Sequence, residues 1–559
     1  MPITYNHNIC EILRVSRRIV MSSEIAHAVS AERGYLTEKG FWSWASTLDH
    51  KRIGVMYLLT TLLFFLVGGV FGMLLRLKLL YPGPALFSDH AYNVIFTLHG
   101  AMMIFLFIIP AIPAALGNFF IPLMIGARDV AFPRLNLMSY WVFVTGILVV
   151  IGSLVSPMDT GWTFYTPYSA KTGAAITVLS FGLFLVGFAS ILTGLNFLVT
   201  IHRLRAPGMG WRRMPLFIWA MYATSIINVL ATPVIGVTFL LLAAERLFGV
   251  AFFDPAKGGD PLLFQHFFWF YSHPVVYVMI LPAMGIISEI IPVFSRKPIF
   301  GYWAIAISSF AIAFIGFLVW GHHMFVAGMS DVADAVFSFM TFFVAIPTGV
   351  KVFNWIATLY RGSISLESPM LYALTFIFLF VIGGLTGPFL GALATDVHLA
   401  DTYFLVAHFH YTIMGGTVMG LFAGLHYWFP KMTGKMLSER WAGIAWFFIF
   451  VGLNATFFIM FVMGVKGLPR RWAQYPPEFH WMQVFSTVGS WILAIGLTIM
   501  FINFVHALFR GKPAPANPWR ALSLEWQTTS PPETENFEEI PDVTEWPYSY
   551  GKKPGVKDA

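Results

Sequence analysis

Cysteine is nearly absent from this sequence. Its 559 residues include one, Cys10, so neither an internal disulfide nor a multi-cysteine metal site can form within the chain. Charge is scarce as well: Asp, Glu, Lys and Arg make up 11% of the residues, against roughly a quarter in soluble domains. That shortage excludes a soluble enzyme with a polar surface, and the 57% hydrophobic content excludes disordered and collagen-like chains. The net charge of +7 is too thinly spread to mark a nucleic-acid binder and reads as flanking charge on a membrane protein. The first 40 or so residues lack the apolar core of a secretory signal, and Met21 offers a second plausible start that would make residues 1–20 an artefact.

What the sequence has in abundance is long apolar runs. A helix needs about 20 apolar residues to cross a bilayer, and twelve stretches qualify: 53–75, 94–117, 137–156, 174–200, 217–243, 265–291, 300–321, 336–360, 370–391, 403–428, 441–463 and 486–509. The expected fold is therefore all-α, a twelve-span membrane bundle over residues 53–509, with an N-terminal segment 1–52 and an extended tail 510–559 rich in Pro, Glu and Trp. The loops on one side of the bundle carry twelve Lys and Arg, those on the other eight. By the positive-inside rule this puts both termini in the cytoplasm, with Arg203, Arg205, Arg212 and Arg213 as the clearest vote.

Ionisable groups inside hydrocarbon are costly unless paired or ligated, so each is a functional candidate. Span 2 carries His99, span 6 His273 and Tyr277, span 7 ends in His322-His323, and span 10 carries His408-Phe409-His410. At ~100° per residue, His408 and His410 project about 200° apart and can serve two metals on opposite faces. His273, His322 and His323 supply three imidazoles, a set suited to copper, zinc or iron. Tyr277 lies one turn beyond His273 on the same face. His426 and His506 stand alone and read as packed or interfacial residues. Lys351 is too deep in span 8 to snorkel easily, and Thr348 precedes it on the same face, which suggests a hydroxyl–amine proton path.

These clusters, in this order over twelve spans, resemble subunit I of the haem–copper oxygen reductases. The likeness runs from Asp49-His50-Lys51 to the tail motifs Asn517-Pro518-Trp519, Leu524-Glu525-Trp526 and Ser530-Pro531-Pro532. It implies that His99 and His410 ligate a low-spin haem a, that His408 ligates a high-spin haem a3, and that His273, His322 and His323 hold copper B. It further implies that Tyr277 is the tyrosine joined to the first copper histidine. Arg76 matches an arginine that binds a haem formyl group, and Arg470-Arg471 a pair that binds haem propionates. Ser288, Lys351 and Thr348, leading to Tyr277, resemble a lysine proton path. Asp129, Asn118 and Asn136 resemble an aspartate path.

Two positions depart from the family pattern. Val275 stands where many members carry a glutamate after His-Pro, which leaves the hydroxyls of Tyr271 and Ser272 as the replacement proton relay. Ala400 removes one ligand of a magnesium site, leaving Asp401 as its lone candidate. The resemblance implies a proton-pumping terminal oxidase of the bacterial cytoplasmic membrane. Its partners would be dioxygen, lipid, cytochrome c and other oxidase subunits, one of which carries the electron-accepting copper site, with no nucleic acid. Three rivals remain: a quinol oxidase on the same scaffold; a nitric oxide reductase, disfavoured by Tyr277 and Lys351; and a non-redox transporter, which a haem spectrum would exclude. No Cys-x-x-Cys-His occurs, so no c-type haem is attached to this chain.

Overall fold

The computed structural model describes residues 34–81, 86–156 and 158–551. Cys10 and the alternative start at Met21 lie outside these residues. Among the described residues, ten helices are long and apolar enough to cross a membrane. They are α1 (His50–Lys78), α2 (Asp89–Ile125), α3 (Pro133–Val155), α4 (Ala175–Arg203), α5 (Leu216–Phe248), α6 (Pro261–Ser295), α8 (Asp331–Leu359), α9 (Ser368–Gly391), α11 (Glu439–Val465) and α12 (Pro477–Arg510). The shorter α7 (Tyr302–Gly316) and the run α10 (403–433), divided by a wide π turn at Ile413–Val418, complete the twelve expected spans.

The departures from the expected boundaries have local causes. Helix α2 continues past 117 until Gly126, whose left-handed φ of 76° ends it, so Asn118 lies inside the helix. Helix α1 runs to Lys78 and takes Arg76 with it. Span 7 stops being α-helical at Gly316, and His322 and His323 sit on a separate 3-10 turn, Trp320–Met324. Helix α8 breaks at 343–344, so Lys351 belongs to its second half, Ala345–Leu359.

Helix α6 is the central post, with 89% of its apolar window buried within the protein; the same figure is 17% for α8 and 22% for α12. Loops cross-link at two ends. At one, Arg470 pairs with Asp401, Gln474 donates to Asp89, and Lys171 pairs with Asp254. At the other, residues 511–551 form no α-helix among the described residues and lie as a strap across the loops. Trp519 donates to Tyr427 O at 2.8 Å and Lys431 Nζ donates to Thr528 O at 2.7 Å. Gly34 bridges Glu533 at this same end, where the described residues both begin and finish.

Candidate functional site

The three histidines of α6 and the 3-10 turn converge. One ring nitrogen from each of His273, His322 and His323 can be chosen so that all three lie within 4.8 Å of one another, the one such group among the described residues. The tight turn is what permits it, bringing the adjacent rings of His322 and His323 to 4.3 Å. Neighbours fix each ring. Thr341 Oγ1 donates to Phe337 O and so accepts from His322 Nδ1 at 3.0 Å, leaving Nε2 to ligate. Trp269 stacks on His323 at 3.7 Å and 9°. His273 turns Nδ1 toward His323 Nε2 at 3.1 Å and its Nε2 toward Tyr277 OH at 2.6 Å. Gly316 makes the room for that phenol, since a Cβ there would lie 2.7 Å from the Tyr277 ring.

The remaining three histidines share one arrangement. His99 Nδ1 donates to Gly68 O at 2.8 Å, His408 Nδ1 to Gly383 O at 2.9 Å, and His410 Nδ1 to Val406 O at 2.8 Å. Each carbonyl fixes the tautomer and leaves Nε2 as a lone-pair donor, as metal-ligating histidines require. His408 lies within electrostatic reach of all three clustered histidines, and His410 within reach of His99. The pair therefore faces two centres from one helix, as the sequence spacing requires. Wide π turns begin at Met102 and Ile413, three residues beyond His99 and His410.

Residues 52–492 match the family model described as Cytochrome C and Quinol oxidase polypeptide I. The chain belongs to that family. The cytochrome c oxidase subunit 1 of Synechocystis sp. is 48% identical over 508 residues, spanning 90% of this chain and 92% of the relative. That of Thermostichus vulcanus is 46% identical over 518 residues, 91% and 94% of the two chains. That of Bacillus subtilis is 43% identical over 519 residues, 91% and 83%. Among solved structures, a chain of a heme-copper terminal oxidase dimer matches with a TM-score of 0.73 and 20% identity, over 83% of this chain and 84% of that one, and shares the fold.

Haems and copper are the cofactors of this oxidase family, and the donor set fits them: a three-imidazole cluster, and three more imidazoles with Nε2 presented. The basic residues fit as well. Arg76 is buried and donates to Gln483 O at 2.7 Å and Thr487 Oγ1 at 3.0 Å, while its Nε has no protein partner. Arg471 Nε likewise has none; burial, with Arg470 beside it, lowers this guanidinium to about 10, so it remains a cation at neutral pH. Such groups suit anionic or carbonyl oxygens of a buried ligand.

Asp401 does not join a metal cluster. Its side chain is 67% exposed, and its Oδ1 accepts both Nε (2.8 Å) and NH2 (2.5 Å) of Arg470. Ala400 offers no side-chain donor beside it, so the magnesium expectation finds no ligand pair at 400–401.

The proton-path candidates divide. Lys351 is fully buried, but its Nζ donates to Ile305 O at 3.0 Å and Ser309 Oγ at 2.8 Å. Thr348, the expected hydroxyl partner, gives its proton to Val344 O one turn back, and Ser288 accepts from Trp355 Nε1. The sequence reading missed Ser309 because helical spacing reports neighbours on one helix, whereas this contact crosses from α8 to α7. Thr341 left no signal for the same reason. Trp269, four residues before His273, was legible as a same-face neighbour. Asp129 lies in the loop after α2, and burial raises its carboxyl to about 7. Asn118 Oδ1, both amide atoms of Asn136 and Ser272 Oγ are buried without a protein partner. Tyr271 and Val275 are buried beside Ser272.

Proposed function

We propose that this chain is the catalytic subunit of a terminal oxidase that reduces dioxygen to water with electrons from cytochrome c and couples the reaction to proton pumping. The observation that carries the reading is the convergence of His273, His322 and His323 with the Tyr277 hydroxyl 2.6 Å from His273 Nε2. His99 and His410 would hold a low-spin haem a, His408 a high-spin haem a3, and the three-histidine cluster copper B. When bound, those groups supply the electron storage and dioxygen binding that a four-electron reduction needs.

The chain's own residues do the rest. Tyr277, held by His273 and the space over Gly316, can give up a phenolic proton at the cluster. Thr341 and Trp269 keep the imidazoles oriented. Arg76 would donate to a haem formyl oxygen and Arg471 to propionates, their Nε–H groups supporting both roles. Arg470 has committed two donors to Asp401, so propionate binding falls mainly to Arg471.

Four protons must arrive for each dioxygen consumed. Lys351, with Ser309 as its partner and Thr348 and Ser288 flanking, would feed Tyr277. Asp129, Asn118 and Asn136 would lead toward Tyr271 and Ser272, which replace the glutamate that Val275 cannot supply. Buried amides and hydroxyls without protein partners bind water, which is the medium such a route needs. The positive-inside bias supports a cytoplasmic strap end, with residues 1–52 and 510–559 on that side of a bacterial membrane and 53–509 as the catalytic domain.

The test is pyridine haemochrome and copper analysis of the purified complex, with oxygen uptake measured against reduced cytochrome c and against quinol. Two A-type haems, copper and cytochrome c-driven uptake are the expected result. Uptake with quinol alone would overturn the donor, B- or O-type haems the haem assignment, and absence of haem the function.

A further inference from the structure

Among the strap residues that meet the candidate proton mouth is a buried one, Asn536. This residue is 3% exposed and adopts a left-handed φ of 63°, a conformation that asparagine tolerates. Its Nδ2 donates to Ala127 O at 2.9 Å and Arg128 O at 3.0 Å, the two carbonyls immediately before Asp129. Nδ2 also lies 2.8 Å from His50 Nε2, so its two protons are shared among three acceptors. His50 gives its Nδ1 proton to Asn118 O at 2.7 Å, so its Nε2 is the acceptor. Asn536 Oδ1 accepts from Lys51 Nζ at 2.7 Å, and Lys51 in turn pairs with Asp49 at 3.2 Å. One side chain of the tail thus ties the start of α1, the backbone at Asn118 and the Asp129 loop into one network.

We propose that Asn536 is a positioning residue for Asp129, clamping the Ala127–Arg128 backbone so that the carboxyl is held half-buried at the mouth of the route. The inference rests on the reading of Asp129 as the site of proton uptake. The ionisable groups facing Asp129 are Asp49 and Lys51 from the start of α1 and Glu535 from the strap. The two carboxylates disfavour its ionisation and the ammonium favours it, so the balance depends on where the clamp holds the loop. Releasing the clamp hydrates the carboxyl, favours its charged form and moves its titration toward acid.

The test uses the assembled oxidase with three variants, Asn536→Gly, Asn536→Asp and Asp129→Asn. Glycine keeps the left-handed backbone and removes the amide; aspartate keeps an acceptor for Lys51 but cannot donate to the two carbonyls. Haem spectra matching the parent establish that the centre is intact in each. The alkaline fall of turnover should move to lower pH by about one unit in Asn536→Gly, a tenfold change in protonated fraction, and by less in Asn536→Asp, whose added carboxylate opposes the shift. The double variant Asp129→Asn/Asn536→Gly should be no worse than Asp129→Asn alone. If Asp129→Asn abolishes proton uptake while both Asn536 variants keep the parent pH profile, the clamp is refuted and the uptake role stands. If Asp129→Asn itself leaves turnover and pumping unchanged, the uptake role fails and the clamp fails with it. Should loss of haem accompany an Asn536 substitution, hydrogen exchange of the 126–130 amides decides: exchange as slow as in the parent refutes the clamp, and faster exchange supports it.

Discussion

The histidine centre and the strapped end use polar side chains in opposite ways. At the centre, His99, His408 and His410 each spend Nδ1 on a carbonyl and keep Nε2 presented. At the strapped end, Asn536, Lys431 and Tyr548 spend their polar atoms on the protein itself. A half-satisfied buried group stands ready for a ligand, whereas a fully satisfied one serves shape. The comparison has a built-in control. His426 also spends Nδ1 on a carbonyl, Phe422 O at 2.7 Å, and its Nε2 is buried without a partner. Yet Tyr372 stacks on it at 4.6 Å and Phe504 lies 5.0 Å away, and among the described residues it joins no histidine cluster. Half-satisfaction is necessary for the ligand role, and convergence completes it.

The largest effects should come from breaking the centre. His323→Ala removes one of three converging imidazoles, so copper content and oxygen uptake should both fall by more than the ~10–100-fold seen when a residue supporting a ligand is lost. Copper analysis and oxygen polarography check this, and a copper-replete, active variant would remove the cluster from the mechanism. Thr341→Val keeps the ring but takes away the acceptor at His322 Nδ1. Copper affinity should fall ~10–100-fold, measured by retention against a graded chelator. His426→Phe is the matching control, and the pyridine haemochrome and copper content should be unchanged.

Much of the centre was legible in the sequence. Membrane helices announce themselves by length and apolarity, and ionisable residues inside them are rare enough to stand out. The 408/410 spacing alone specified two opposite faces. What sequence could not supply was contact between helices. Ser309 as the partner of Lys351, and Thr341 behind His322, arise from packing of α8 against α7 and against the turn after it. The helix end at Gly316 was missed because hydropathy stays high through Trp320 while the backbone changes to 3-10 geometry. The strap was read as an extended tail, and its burial was hidden because Trp, Tyr and Pro in a polar stretch carry no period.

Lys351 sharpens the comparison from the middle, being fully buried with two protein partners. Replacing a buried amine by a similarly shaped apolar group costs little when the partner it leaves keeps another bond, as Ser309 Oγ does with Ile305 O. Lys351→Met should therefore leave the thermal midpoint of the complex within a few degrees of the parent, roughly the scale of a 1 kcal/mol change, while turnover falls sharply. Ser309→Ala should reduce turnover less, since Ile305 O still orients the amine. Oxygen uptake with differential scanning calorimetry separates the two readouts, and a large stability loss in Lys351→Met with normal turnover would move Lys351 to the structural side of the comparison.

Tyr548→Phe should give the smallest effect and probes a fully satisfied group of the strapped end. The Tyr548 hydroxyl accepts from Leu216 N at 2.7 Å and donates to Glu289 Oε1 at 2.7 Å. Leu216 opens α5, so its N–H has no partner within the helix and depends on that phenol. Phenylalanine keeps the packing against Tyr302 and Trp546 and deletes both bonds. Leaving a buried donor unmade costs about 1–3 kcal/mol, while Phe217 N still serves Glu289. The complex should unfold at a slightly lower temperature with its haem spectrum and turnover unchanged. A fall in turnover without any change in unfolding would mean that the strap acts on the chemistry through Glu289 and α6, and the division between a ligand-holding centre and a shape-holding end would have to be redrawn.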